Sequence, residues 1–81
     1  MLSDEDIIGA IQSDTGIASV DVESDGYHYE LVVIGDVFLG LSKLKRQQWV
    51  YARLKHWIAS GELHAITLQT WTKDEWEKKS G

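Results

Sequence analysis

The spacing of apolar residues along the chain switches between a period near 3.6 and a period of two, and each switch marks an element. Ile7, Ile8 and Ile11 share one helical face behind Ser3, which caps the helix with Asp6 at the third helical position; Gly16 is the expected stop. From Ile17 the period is two. Val20 and Val22 point one way and Ser19, Asp21 and Glu23 the other, the mark of a half-buried strand. Asp25-Gly26 between alternating runs predicts a hairpin. The next strand, YHYELVVI, sets Tyr27, Tyr29, Leu31 and Val33 on one face and His28, Glu30, Val32 and Ile34 on the other. Both faces are partly apolar, so this strand is expected at the centre of a sheet. Gly35 to Gly40 reads as a loop.

From Lys43 to Ala59 the helical period returns, with Leu44, Gln47, Val50, Tyr51, Leu54, Trp57 and Ile58 on one stripe. Lys45, Arg46, Trp49, Arg53 and Lys55 occupy the other side, and Gly61 ends the helix. A third strand runs from about His64 to Trp71, after which Thr72 and Glu75 form a second capping box for a terminal helix containing Trp76. The order α-β-β-α-β-α, with a helix between the second and third strands, predicts a right-handed crossover. The expected architecture is an α+β domain spanning residues 1 to 81, a three-stranded mixed sheet with helices packed on one face. Linkers, repeats and low-complexity tracts are absent.

A chain of 81 residues buries only roughly 60% of its unfolded surface, so an enzyme-sized cleft would consume much of its core. A non-enzymatic binding or adaptor module is the expectation. There is no cysteine, which excludes disulfides, thiolate metal ligands and a Cys nucleophile from this chain. The start, MLSDEDII, carries no basic segment and no long apolar run, so neither a signal peptide nor a membrane span is expected, and a cytoplasmic compartment is the default. The net charge of -5 is unevenly spread: residues 1 to 36 hold nine acids and no Lys or Arg, whereas residues 37 to 81 hold eight bases and four acids. Between Lys43 and Lys55 every charged side chain is positive, which makes either a solvated helix face or an anion-facing patch.

Nothing matches a nucleophile triad, a phosphate loop or a dinucleotide fingerprint, and Asp74 and Glu75 are explained by helix capping. The histidines differ in setting. His56 lies on the charged side of the long helix, whereas His28 follows the hairpin and His64 begins the third strand, so these two could approach one end of the sheet. Ordinary packing, a pH-sensitive contact and metal ligation are all open to them. Two imidazoles do not complete a tetrahedral site, so metal binding would need donors from a partner. For nucleic acid the candidate surface is the basic helix with Trp49 interleaved, where Lys and Arg meet phosphates and the ring stacks on a base; the pI near 4.9 opposes it.

The segments GDVFLGLSKLKRQQWVY and LHAITLQTWTKDEW resemble the BolA family, and the Lys-Arg-Gln-Gln-x-Val-Tyr form is similar to its YrbA/IbaG subgroup. The resemblance spans the chain from the acidic first helix to Trp76. It implies an αββααβ(α) fold similar to a class II KH domain, with the long helix broken near Leu44 to Gln47. It also implies partnership with a monothiol glutaredoxin and a shared [2Fe-2S] cluster, in cluster trafficking or maturation and iron homeostasis. The family's near-constant cluster ligand falls on His64. Its second ligand comes from the first hairpin, where Asp25 stands at the Cys position of one branch and His28 is the available imidazole. The partner would supply its active-site Cys and a bound glutathione, and no cluster is expected in the isolated protein. Lys43, Lys45, Arg46, Trp49 and Arg53 are the implied docking residues for glutaredoxin or glutathione carboxylates. The alternative is a KH-like nucleic-acid-binding regulator of stress response or cell morphology. Gln47 and Gln48 depart from the regulator pattern, and no clear Gly-x-x-Gly clamp is present. An apo homodimer stays open.

Overall fold

A computed structural model describes residues 2–80. Its elements are α1 (Asp4–Gln12), β1 (Ser19–Ser24), β2 (His28–Ile34), a 3-10 turn (Asp36–Phe38), α2 (Lys43–Ser60), β3 (Ala65–Trp71) and α3 (Lys73–Ser80). Both expected capping boxes form. Ser3 accepts from the Asp6 N–H while Asp6 accepts from the Ser3 N–H; Thr72 and Glu75 repeat the exchange at α3. Each pair satisfies donors that a helix start leaves without intrahelical partners.

The sheet order is β1-β2-β3, with β1 and β2 antiparallel and β2 and β3 parallel, so β2 is central as its two-faced pattern predicts. Tyr29, Leu31 and Val33 are buried against Ile7 and Ile11 of α1 and Val50 and Leu54 of α2, with Phe38 and Leu63 closing the cluster. The opposite face presents Asp21, Glu23, Glu30, Thr67 and Gln69 to solvent. Tyr27, assigned by alternation to the Leu31 face, lies before the strand and is 65% exposed.

Two features of α2 differ from expectation. The helix runs unbroken from Lys43 to Ser60, so the break expected near Leu44 to Gln47 is not there. The discontinuity lies earlier, between the 3-10 turn and Ser42, whose hydroxyl accepts from the Lys45 N–H. Gly40, at φ +78, turns the chain there, whereas Leu44 to Gln47 are all good helix formers. The buried stripe is also rotated. Leu44 is 62% exposed, while Arg46, Trp49 and Arg53, expected on the charged side, are half-buried. Trp49 packs on Phe38 with ring centroids 5.5 Å apart, and long Arg stems cover apolar surface well.

Candidate functional site

The hairpin sets the position of His28. Oδ1 of Asp25 accepts the N–H groups of Tyr27 at 2.9 Å and His28 at 2.7 Å, and Gly26 takes φ +93 between them. Those bonds, the His28 one foremost, hold the Asp25 carboxyl below its usual range. Asp25 is thereby committed to the turn, as an Asx residue is.

The parallel register then brings the second histidine alongside. His28 pairs with Ala65, which directly follows His64, so both histidines stand at the same end of the sheet. Their side chains are held differently. Nε2 of His28 lies 2.7 Å from the Thr67 hydroxyl, on the open face of the sheet. His64 follows the left-handed Gly61 that caps α2 and the fully buried Leu63, whose N–H donates to the Trp57 carbonyl. Nδ1 of His64 lies 3.0 Å from the Gly61 carbonyl oxygen, and the Tyr27 ring meets its imidazole edge to face at 4.9 Å.

The partner of His64 decides its tautomer. A carbonyl oxygen only accepts, so Nδ1 must carry the hydrogen, and the neutral ring keeps its lone pair on Nε2. The residue is exposed. An Nδ1–H bound to a backbone carbonyl is the arrangement that orients metal-ligating imidazoles. His28 has its Nε2 engaged by Thr67, so ligation through that atom would displace the hydroxyl. Among the described residues, no group of three or more His, Cys, Asp or Glu side chains converges to hold a metal ion. The donor set is two imidazoles and no thiolate, which fits a metal group that other molecules also ligate, and does not fit a resident one.

The basic residues are divided by the fold. Arg46 forks onto Glu75 at 2.7 and 3.2 Å and donates to the carbonyls of Leu41 and Thr70. Glu75 is lowered to about 2 by that guanidinium and next by the Thr72 N–H. Arg53 lies 3.4 Å over the Trp49 ring and pairs with Asp14 at 3.2 Å. Trp49 is therefore half-buried between Phe38 and Arg53, while Lys43 and Lys45 stay exposed. Tyr27, Thr67 and the Gly61 carbonyl were not singled out by sequence reasoning. Thr67 follows from the strand register, but a backbone carbonyl carries no side-chain signature.

Comparison with known proteins bears on this arrangement. The sequence model of the family described as BolA-like protein matches residues 9–75. The acid stress protein IbaG of Escherichia coli is 30% identical over 77 residues, 95% of this chain and 92% of that protein. A solved bolA homologue from Coxiella burnetii is 36% identical with a TM-score of 0.74, covering 95% of this chain and 99% of that one. A bol-like protein from Babesia bovis, at 21% identity, shares the fold with a TM-score of 0.87 over 100% of this chain and 96% of its own. With a matching family model and a relative aligned along nearly the whole length, the chain belongs to the BolA family.

Proposed function

We propose that this protein is a non-enzymatic adaptor that binds a monothiol glutaredoxin and ligates, with it, a [2Fe-2S] cluster. The observation that carries the reading is the Nδ1–H bond from His64 to the Gly61 carbonyl, which leaves the lone pair on Nε2 of an exposed residue. His28, at the same end of the sheet, is the second donor once its bond to Thr67 is exchanged. The Asp25 turn holds His28 at the head of β2, and the Gly61 cap holds His64 at the head of β3. The partner's Cys and a glutathione thiolate supply the sulfur that this cysteine-free chain lacks. When bound, a cluster with imidazoles in place of two thiolates carries less negative charge and a higher reduction potential. Such a protein serves cluster trafficking or maturation in the cytoplasm. Of the named docking residues, Lys43 and Lys45 are the exposed cations, and they are the ones that would meet the partner's carboxylates. The nucleic-acid reading has less support here, because the stacking residue it needs, Trp49, already carries Arg53 over its ring and packs on Phe38.

The test mixes the purified protein with a cluster-loaded monothiol glutaredoxin and follows visible absorption and circular dichroism. Wild type should change both spectra, His64→Ala should abolish the change, and His28→Ala should diminish it. A His64→Ala spectrum identical to wild type would refute the assignment.

A further inference from the structure

β3 has a neighbouring strand on one side only. Two hydrogen bonds fix the direction of its main-chain groups. The Trp71 carbonyl accepts from the Gly35 N–H at 2.9 Å and so points towards β2, whereas the Thr70 carbonyl accepts from Arg46 at 3.5 Å and points away. Successive residues of a strand alternate this direction, so Leu68 shares the outward setting of Thr70. The outward N–H groups of Leu68 and Thr70 therefore face no strand partner, which makes this an open edge.

A groove of about 570 Å³ runs along that edge. Leu68 and Thr70 come from one face of the sheet and Gln69 and Trp71 from the other, so the groove follows the edge and not either face. Lys43, Lys78 and Lys79 stand at it; Arg46 is paired with Glu75 and Lys78 with Asp74 at 3.2 Å, so among the described residues Lys43 and Lys79 carry its uncompensated positive charge. The chain as a whole carries -5. The local field thus opposes the overall one and selects a negatively charged occupant. Leu68 and the Trp71 ring, packed on Trp76 at 5.8 Å, add apolar surface.

We infer that this groove docks an extended acidic segment of a partner protein, which adds to β3 as a fourth strand. Its main chain pairs with the outward N–H groups of Leu68 and Thr70, the apolar side chains of one of its faces lie on Leu68, and its carboxylates meet Lys43 and Lys79. Alternating N–H and C=O groups match another peptide backbone and not a phosphodiester, which separates a protein segment from a nucleic acid. The groove begins about 13 Å along β3 from His64, at roughly 3.3 Å per residue, so the inference does not rest on the cluster ligands, and Lys43 is the residue it shares with the proposed glutaredoxin contact. An adaptor built this way holds a second protein without covering its histidines.

The probe is a short peptide alternating Glu and Val, compared with its Lys-for-Glu counterpart and a short single-stranded oligonucleotide. Fluorescence anisotropy measures binding to the full chain, and amide hydrogen exchange reads the edge. The acidic peptide should bind and slow exchange at Leu68 and Thr70 by about tenfold or more, while the Lys peptide does not bind. Lys43→Glu should weaken the acidic peptide about tenfold, and so should Thr70→Pro, whose missing N–H faces outward where an edge tolerates proline. If Thr70→Pro unfolds the chain, Lys43→Glu decides. Unchanged exchange at Leu68 and Thr70, binding of the oligonucleotide in place of the peptide, or protection of these amides by self-association alone would each overturn the inference.

Discussion

Gly35 shows how a single residue without a side chain positions an element. Its φ of -177 is ordinary extended backbone, so conformational freedom is not the reason for it. Space is the reason: a Cβ would strike the Gly16 carbonyl oxygen and approach the Ile17 Cα to 2.9 Å. The backbone leading into β1 lies directly against the end of β2 there, and the Gly35 N–H is also the donor that joins β2 to Trp71. Neither backbone can retreat without losing strand pairing. Gly35→Ala should therefore cost about 1 to 3 kcal/mol as an overpacked site, read as a lower urea midpoint at unchanged slope. An unchanged midpoint would show that the two backbones separate freely. At the same scale the sequence left His64 three roles, and the Gly61 carbonyl adds its tautomer without choosing among them.

At the scale of the element, α2 separates what periodicity can and cannot say. The helix, its Gly61 end and the buried Val50 and Leu54 were legible, because apolar residues recurring at helical spacing have one way to leave water together. The edges of the stripe were not legible. Leu44 is 62% exposed, whereas Arg46 and Arg53 enter the half-buried boundary because their stems are apolar and their charges find Glu75 and Asp14. Leu54→Ala should cost roughly 2 to 5 kcal/mol, the range for truncating a fully buried leucine. Leu44→Ala should stay within about 0.5 kcal/mol, as surface changes do. Thermal melts of the two variants check the rotation of the stripe; equal costs would restore the unrotated one.

For the molecule as a whole, Arg46 and Glu75 join the start of α2 to the end of β3 and the start of α3, 24 and 29 residues further along the chain. The guanidinium bonds Glu75 of α3, the Thr70 carbonyl of β3 and the Leu41 carbonyl ahead of α2. Glu75 in turn caps α3 through Thr72. Its folded value of about 2 lies below the 4.5 of an unperturbed glutamate, so folding favours the ionised form. The contribution is present above pH 4.5 and is lost as pH falls from there towards 2. In Glu75→Gln the fall in urea midpoint over that window should be shallower than in wild type. A superimposable acid limb would mean that the pair is dispensable in solution.

The elements, the central place of β2, both capping boxes and the resemblance to the BolA family were legible in the order of residues. Each of these rests on residues close together along the chain or on a motif carried by their order: Ser3 with Asp6, Thr72 with Glu75, and the alternation from Val20 to Val33. The continuity of α2, the pairing of Arg46 with Glu75 and of Arg53 with Asp14 over the Trp49 ring, and the meeting of His28 and His64 at one end of the sheet came only with the folded chain. So did the open, cationic edge of β3. These depend on which surfaces meet after the chain has folded back on itself. The partners of Arg46 and His28 lie 29 and 39 residues away, and local spacing carries no record of a contact made at that distance.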